Sequence, residues 1–398
     1  VKKDLLAPVS RPPLGSRREP ASGGGEGVLS LFAQLGRAPD VEAPDLVAVD
    51  ATDRLLLDTA AELLATCGPG EVAVVDDSHG ALTLGAVALH GAGDVRVHQD
   101  LLVGELALAR NAERTRLTGT YRSLPLGPEL AAGARLVLVQ APKGLEALRE
   151  IAEVVAASAA PDVTVLVGGR VKHMTHAMND VLRGSFGEVS ATLARQKSRV
   201  LIAREPRPGP SSFPRCQHHD DLDLTVCASG AAFAGSRIDI GTRALLRSLD
   251  RMATAGTALD LGCGTGVLAA ALARSRPALA VLAVDQSAAA VASATATAAA
   301  NGLADRIRVV RDDAAASVAA GSVDLVVCNP PFHVGAAVVT TAADRLFSAA
   351  TRVLRPGGEL WTVYNSSLRY KPVLARIVGP TKVVDADAKF TVTVSTRR

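Results

Sequence analysis

The chain is poor in aromatic residues, with 7 Phe, 3 Tyr and 1 Trp among 398 positions, so its cores must be built from Ala, Val and Leu. Cysteine is also sparse. The five at positions 67, 216, 227, 263 and 328 are scattered and contain no Cys-x-x-Cys pair. That set argues against a disulfide framework and points to a reduced, cytoplasmic chain. Cys216-x-His218-His219 with Cys227 matches no common zinc spacing, so no metal is expected. No apolar run of about 18 residues escapes a charge or a Gly/Pro break, which speaks against a helical membrane span. The first 26 residues are polar, contain Gly23-Gly24-Gly25, and lack an apolar signal core; they read as a disordered tail.

Neither charge sign dominates, at 43 basic against 40 acidic residues, but the distribution is uneven. Residues 27–194 hold 13 basic and 21 acidic groups, whereas residues 195–215 hold 6 and 1. Within that basic stretch, Glu205 to Pro214 contains four prolines, which no regular helix accommodates. This punctuation predicts a first domain over 27–203, a Pro-rich basic linker over 204–215 and a second domain over 216–398.

Both domains alternate apolar β-rich runs with helical stretches, the pattern of an α/β protein. In the second, strands are expected at Thr257–Leu261, Ala280–Val284, Ile307–Arg311, Val323–Cys328 and Glu359–Tyr364, with helices beginning at Val267 and spanning Ala288–Ala300 and Ala342–Leu354. Two final β-rich stretches, Thr381–Val384 and Lys389–Ser395, suggest an antiparallel hairpin. In the first, strands are expected at Val72–Val75, Val95–His98, Leu136–Gln140 and Val163–Val167. Laying Asp76 on Asp260 and Gln140 on Asn329 makes the halves a divergent repeat. The predicted fold is two tandem Rossmann-like domains with mainly parallel, doubly wound sheets.

Two motifs of the second half carry chemistry. Asp260-Leu-Gly262-Cys263-Gly264-Thr-Gly266 follows a strand and opens a helix, where glycines allow a sharp turn and close approach of a ligand. Asp285 ends the next strand, placed to accept ribose hydroxyls, and Asp312-Asp313 ends the third, placed near a base edge. No phosphate-cradling loop follows, which favours a nucleoside without phosphates. Asn329-Pro330-Pro331-Phe332-His333 ends the fourth strand. The Asn329 amide and the Pro330 carbonyl supply two acceptors for an exocyclic amine, and Phe332 supplies a stacking face. His333 could meet the base, a phosphate or only its own turn; Cys263 and Cys328 read as small buried thiols.

These residues resemble class I S-adenosylmethionine methyltransferases that act on amino groups. Phe233, Ile238-Asp-Ile-Gly241-Thr242-Arg-Ala-Leu-Leu246, the Phe332-His333 ending and Tyr370 with Leu374 extend the resemblance to the ribosomal RNA guanine 2-amino methyltransferases of the RsmC/RlmG type. So do Pro142-Lys143, Gly168-Gly-Arg-Val-Lys-His173 and Leu193-Ala-Arg-Gln-Lys197-Ser-Arg199. The resemblance implies a non-catalytic first domain and a catalytic second one. It also implies S-adenosylmethionine as cofactor, with Gly241 and Thr242 joining Asp260, Gly262, Cys263, Gly264, Gly266, Asp285, Asp313 and Asn329 around it. Its implied partner is ribosomal RNA or a ribosomal subunit, and two packed domains could serve as a monomer. Arg170, Lys172, Arg195, Lys197, Arg199 and Arg204 are the candidate phosphate contacts. The competing readings are methylation of a protein glutamine or an adenine, and a non-catalytic RNA-binding assembly factor.

Overall fold

The computed structural model describes residues 30–43, 46–253, 256–330 and 336–398. Its first half is a seven-stranded sheet of β1 (Val72–Val75), β2 (Val95–His98), β3 (Tyr121–Ser123), β4 (Leu136–Gln140), β5 (Thr164–Arg170), β6 (Phe186–Ala191) and β7 (Ser198–Pro206). The strand order is β3-β2-β1-β4-β5-β7-β6. A hairpin of β8 (Arg215–His219) and β9 (Leu224–Ala228) follows. The second large sheet contains β10 (Thr257–Leu261), β11 (Ala280–Asp285), β12 (Ile307–Arg311), β13 (Val323–Cys328), β14 (Leu354–Asn365), β15 (Thr381–Ala386) and β16 (Phe390–Thr396). Its order, β12-β11-β10-β13-β14-β16-β15, repeats that of the first sheet strand for strand.

In both sheets the first five strands run parallel and the last two are antiparallel additions. Central strands are largely apolar because helices cover both faces, and Val72–Val75 is buried at every position. The shortage of aromatics is met by close packing of small residues. A Cβ on Gly266 would lie 2.9 Å from that of Ala294, so helices Val267–Ser275 and Ala288–Ala300 approach nearly to backbone contact. Tyr370 belongs to a core cluster, its ring centroid 5.5 Å from Phe347 and 5.4 Å from Tyr364.

The structure corrects four expectations. The helix expected at Ala342–Leu354 spans Ala336–Val353, and the following strand begins at Leu354. Leu354 already pairs with Val323, and the irregular register of β14 absorbs Arg355-Pro-Gly-Gly358. Residues 204–206, expected in the linker, extend β7, where Arg204 pairs with Glu188 of β6. Cys216 and Cys227 form a disulfide, because the β8–β9 register sets them directly opposite each other. The chain is therefore not wholly reduced, and Cys67, Cys263 and Cys328 remain thiols.

The fourth concerns the repeat. Val74 pairs with Leu138, two residues before Gln140, as Asp260 pairs with Val327, two before Asn329. Val74, not Asp76, therefore occupies the Asp260 position. The turn glycines Gly262, Gly264 and Gly266 correspond to Asp76, Ser78 and Gly80, and all six hold positive φ. Matching acidic residues by sequence misses this offset, because the first half keeps the left-handed backbone while replacing two of its glycines.

The halves meet through equivalent segments. Leu101 bridges Ser287, Leu102 N donates to Gln286 O at 2.9 Å, and Ala288 N donates to Asp100 O at 2.8 Å, a pseudo-two-fold exchange. The Asp100 carboxylate also accepts from Ser287 Oγ and Ala289 N, both at 2.9 Å. Arg311 donates to Glu105 at 2.7 Å and to the carbonyls of Gln99 and Asp100 at 2.7 and 3.1 Å.

Candidate active site

The parallel strands of the second sheet deliver their carboxyl ends to one crevice, the place where open α/β sheets bind ligands. At the end of β10, Asp260 is completely buried. One carboxylate oxygen, Oδ2, accepts from Ala269 N at 2.9 Å; Oδ1 has no partner among the described residues. Burial, with a smaller push from the charge of Asp285, raises this carboxyl to about 7. An unpaired buried carboxylate oxygen is costly unless a positive or donor group meets it.

The turn that follows is open. Gly262 and Gly264 have φ of +76° and +53°, and a Cβ on either would meet nothing within 4 Å. Their side-chain space is thus left to a ligand. Gly262 N and Cys263 N donate to Val284 O at 2.9 and 3.0 Å, tying the turn to β11. The Cys263 thiol is buried and pushed upward by that burial, as is the thiol of Cys328, which keeps both protonated and packed.

Asp285 ends β11 with both oxygens engaged, Oδ2 by Gly264 N and Oδ1 by Ser287 N, each at 3.0 Å. Burial raises its pKa. Each oxygen keeps a lone pair for a further donor. At the end of β12, Asp312 turns inward to Ser317 N and Oγ at 2.9 and 2.6 Å, while the partly exposed Asp313 pairs with Arg345.

Asn329 stands directly after β13, half-buried, with Pro330 buried behind it. Its Nδ2 donates to Thr242 Oγ1 at 3.0 Å and to Asp239 Oδ2 at 3.2 Å; its Oδ1 is buried without a partner among the described residues. Pro331, Phe332 and His333 lie outside the described residues. Gly241 lies against this group, since a Cβ there would sit 2.9 Å from Asp239 Oδ2 and 3.5 Å from Asn329 Nδ2. Asp239 is absent from the sequence-derived site. Its signal was an N-cap one: it opens helix Ile240–Leu246 and accepts from Gly241 N and Thr242 N.

The structure groups most of the candidate phosphate contacts. Arg170 ends β5, Lys172 follows it, and Arg195 and Lys197 lie in the β6–β7 turn, with Arg199 entering β7 opposite Gly169. Lys172, Arg195 and Lys197 are exposed, beside Leu193 at 91% exposure. Arg195 pairs with Asp58. Arg204 does not join them; it lies at the other end of β7, near Glu188 and Thr164. In the first half, Val74 removes the acidic group found at Asp260, and Gln140 donates its amide to Asp53, whose carboxyl burial raises to about 8.

Comparison with known proteins follows the same division. Residues 29–207 match the RLMG N-terminal domain and residues 223–394 the methyltransferase small domain. The ribosomal RNA large subunit methyltransferase G of Pseudomonas aeruginosa UCBPP-PA14 is 38% identical over 369 residues, 91% of this chain and 97% of its own length. Its counterpart from Streptomyces avermitilis is 34% identical over 374 residues, covering 90% and 95%. Among solved structures, the T. thermophilus 16S rRNA N2 methyltransferase RsmC, in complex with AdoMet and guanosine, superposes with a TM-score of 0.68 at 23% identity, covering 88% of this chain and 92% of its own.

Proposed function

The chain belongs to the ribosomal RNA large subunit methyltransferase G family, and from that premise we infer that it methylates the exocyclic 2-amino group of a guanine in large-subunit ribosomal RNA. The cofactor is S-adenosylmethionine. The observation that carries the amine reading is Asn329, whose buried Oδ1 awaits a hydrogen-bond donor beside an open glycine turn.

The residues fit the cofactor: the open space at Gly262 and Gly264, the orphaned Oδ1 of Asp260 and the free lone pairs of Asp285 suit a cationic nucleoside. Bound, it supplies an electrophilic methyl on a sulfonium. Asp285 would hold the ribose hydroxyls, Asp313 the adenine edge, and Gly262, Cys263, Gly264 and Gly266 the close-approach backbone. A guanine 2-amino group is a weak nucleophile because its lone pair is delocalised into the ring. Asn329 Oδ1 and the Pro330 carbonyl accept its two hydrogens, hold the nitrogen toward tetrahedral geometry and aim its lone pair. Phe332 offsets with stacking, about 1–3 kcal/mol, part of the cost of taking the base out of its own stack. Pro331 fixes the turn, and His333 is assigned to the base or a neighbouring phosphate.

The orphaned acid makes cofactor affinity pH-dependent. Its folded pKa of about 7 lies above the ordinary 3.8, so the stability owed to the protonated form is full below about 4 and lost as pH rises through 7. A cation favours the ionised form. Affinity for S-adenosylmethionine is therefore expected to fall about tenfold per pH unit below 7, measured by calorimetry between pH 5.5 and 7. Asp260→Asn should flatten that slope, and an equal slope in the variant would contradict the assignment.

The first domain, over 27–203, is non-catalytic in this reading and contributes the basic group of Arg170, Lys172, Arg195, Lys197 and Arg199 as an RNA contact. Arg204, at the far end of β7 beside Glu188 and Thr164, is not part of this contact. Lys172→Glu with Lys197→Glu should weaken ribosomal RNA binding and reduce its salt slope by about 0.7–0.9 per lost contact, read by filter binding across salt concentrations. An unchanged slope would remove this surface from the interface. The protein would act as a cytoplasmic monomer, its paired halves supplying internally the contact that a dimer would.

A further inference from the structure

A carboxamide has two ends of similar size and opposite chemistry, an acceptor oxygen and a donor nitrogen. An amine substrate offers hydrogens, so it can be held only if the oxygen faces it. Resting on the amine reading above, we propose that Asp239 and Thr242 are positioning residues that fix the Asn329 carboxamide with its oxygen toward the reacting amine.

The geometry carries this. Both hydrogens of Asn329 Nδ2 have acceptors, Thr242 Oγ1 at 3.0 Å and Asp239 Oδ2 at 3.2 Å, and Oδ1 is left buried and unpartnered among the described residues. The orientation does not depend on how the two amide ends are labelled. A carboxylate only accepts, so the end beside Asp239 must be the NH2; a flipped amide would set two oxygens about 3.2 Å apart. Asp239 is itself fixed, because the same Oδ2 accepts from Gly241 N at 2.9 Å and Thr242 N at 3.3 Å. Gly241 leaves the space in which these groups meet, since a Cβ would come within 2.9 Å of that oxygen.

The first half repeats the device at equivalent positions. Thr242 is the third residue of the helix capped by Asp239, and Asp53 is the third residue of the helix capped by Asp50. Asp53 accepts from the amide of Gln140, the counterpart of Asn329. The anchor is thus a property of where the helix start meets the strand end, present in both copies, and only the second copy presents its free oxygen beside an open turn.

The test is single-turnover methyl transfer at saturating cofactor, with cofactor affinity and melting temperature measured on the same variants. Thr242, which the resemblance set around the cofactor, has its hydroxyl engaged by Asn329 Nδ2 instead; Thr242→Val removes that acceptor and should slow transfer about tenfold with cofactor Kd within twofold. Thr242→Ser, which restores the hydroxyl, should recover the rate to within about threefold. In an Asn329→Ala background, Thr242→Val should cost nothing further, because the group it positions is gone. A raised cofactor Kd with full rate at saturation, or a loss that adds to that of Asn329→Ala, would overturn the proposal. Digestion of the wild-type product keeps the two readings apart. A methylated amine other than 2-methylguanosine would overturn the substrate while the Thr242→Val comparison, made on that product, still decides the positioning.

Discussion

Asn329→Ala is expected to reduce methyl transfer about a thousandfold while leaving S-adenosylmethionine affinity within about threefold. Among the described residues the side chain's bonds run to Asp239 and Thr242 rather than to the Gly262–Gly266 turn or Asp285, and its oxygen is buried without a partner. Removing one preorganised group that acts on developing charge costs about a hundred- to a thousandfold, and here the Pro330 carbonyl alone would remain to hold the amine. The fold should tolerate the change, because Asp239 keeps its cap on Gly241 N and Thr242 N. Equal losses of turnover and cofactor binding would show that Asn329 holds the cofactor instead.

Asp285→Ala should give the opposite signature, a loss of cofactor affinity of at least about a hundredfold with much of the rate recovered at saturation. Its carboxylate ties Gly264 N and Ser287 N at 3.0 Å each, so removing it frees the glycine turn and takes away the ribose acceptor together. Hydrogen bonds to charged groups contribute about 1.5–3 kcal/mol each, so losing two accounts for a hundredfold or more. Equilibrium binding checks it, and an unchanged Kd would place the cofactor elsewhere. Between them, these variants separate holding the electrophile from presenting the nucleophile.

The sequence disclosed the parallel strands well for a physical reason. Runs such as Val72–Val75, Leu136–Gln140 and Val323–Cys328 are apolar at almost every position because both faces are covered, and each is followed within two residues by Asp, Pro or Asn. Asp260, Asp285 and Asn329 were legible because each lies at or within one residue of the end of such a run. What escaped depends on contacts distant in sequence. Asp239 meets Asn329 across 90 positions, and Arg311 reaches Glu105 across 206. The register of the first half could be read only from strand pairing, since Asp76 resembles Asp260 in type but holds the place of Gly262. The pairing of Cys216 with Cys227 likewise came from hairpin register rather than from spacing.

The central claim is tested most directly by transfer of radiolabelled methyl from S-adenosylmethionine to unmodified large subunits, small subunits and deproteinised ribosomal RNA, followed by digestion to nucleosides. Label recovered as 2-methylguanosine from large-subunit RNA is the predicted result. Label in no RNA, with cofactor binding intact, would contradict it.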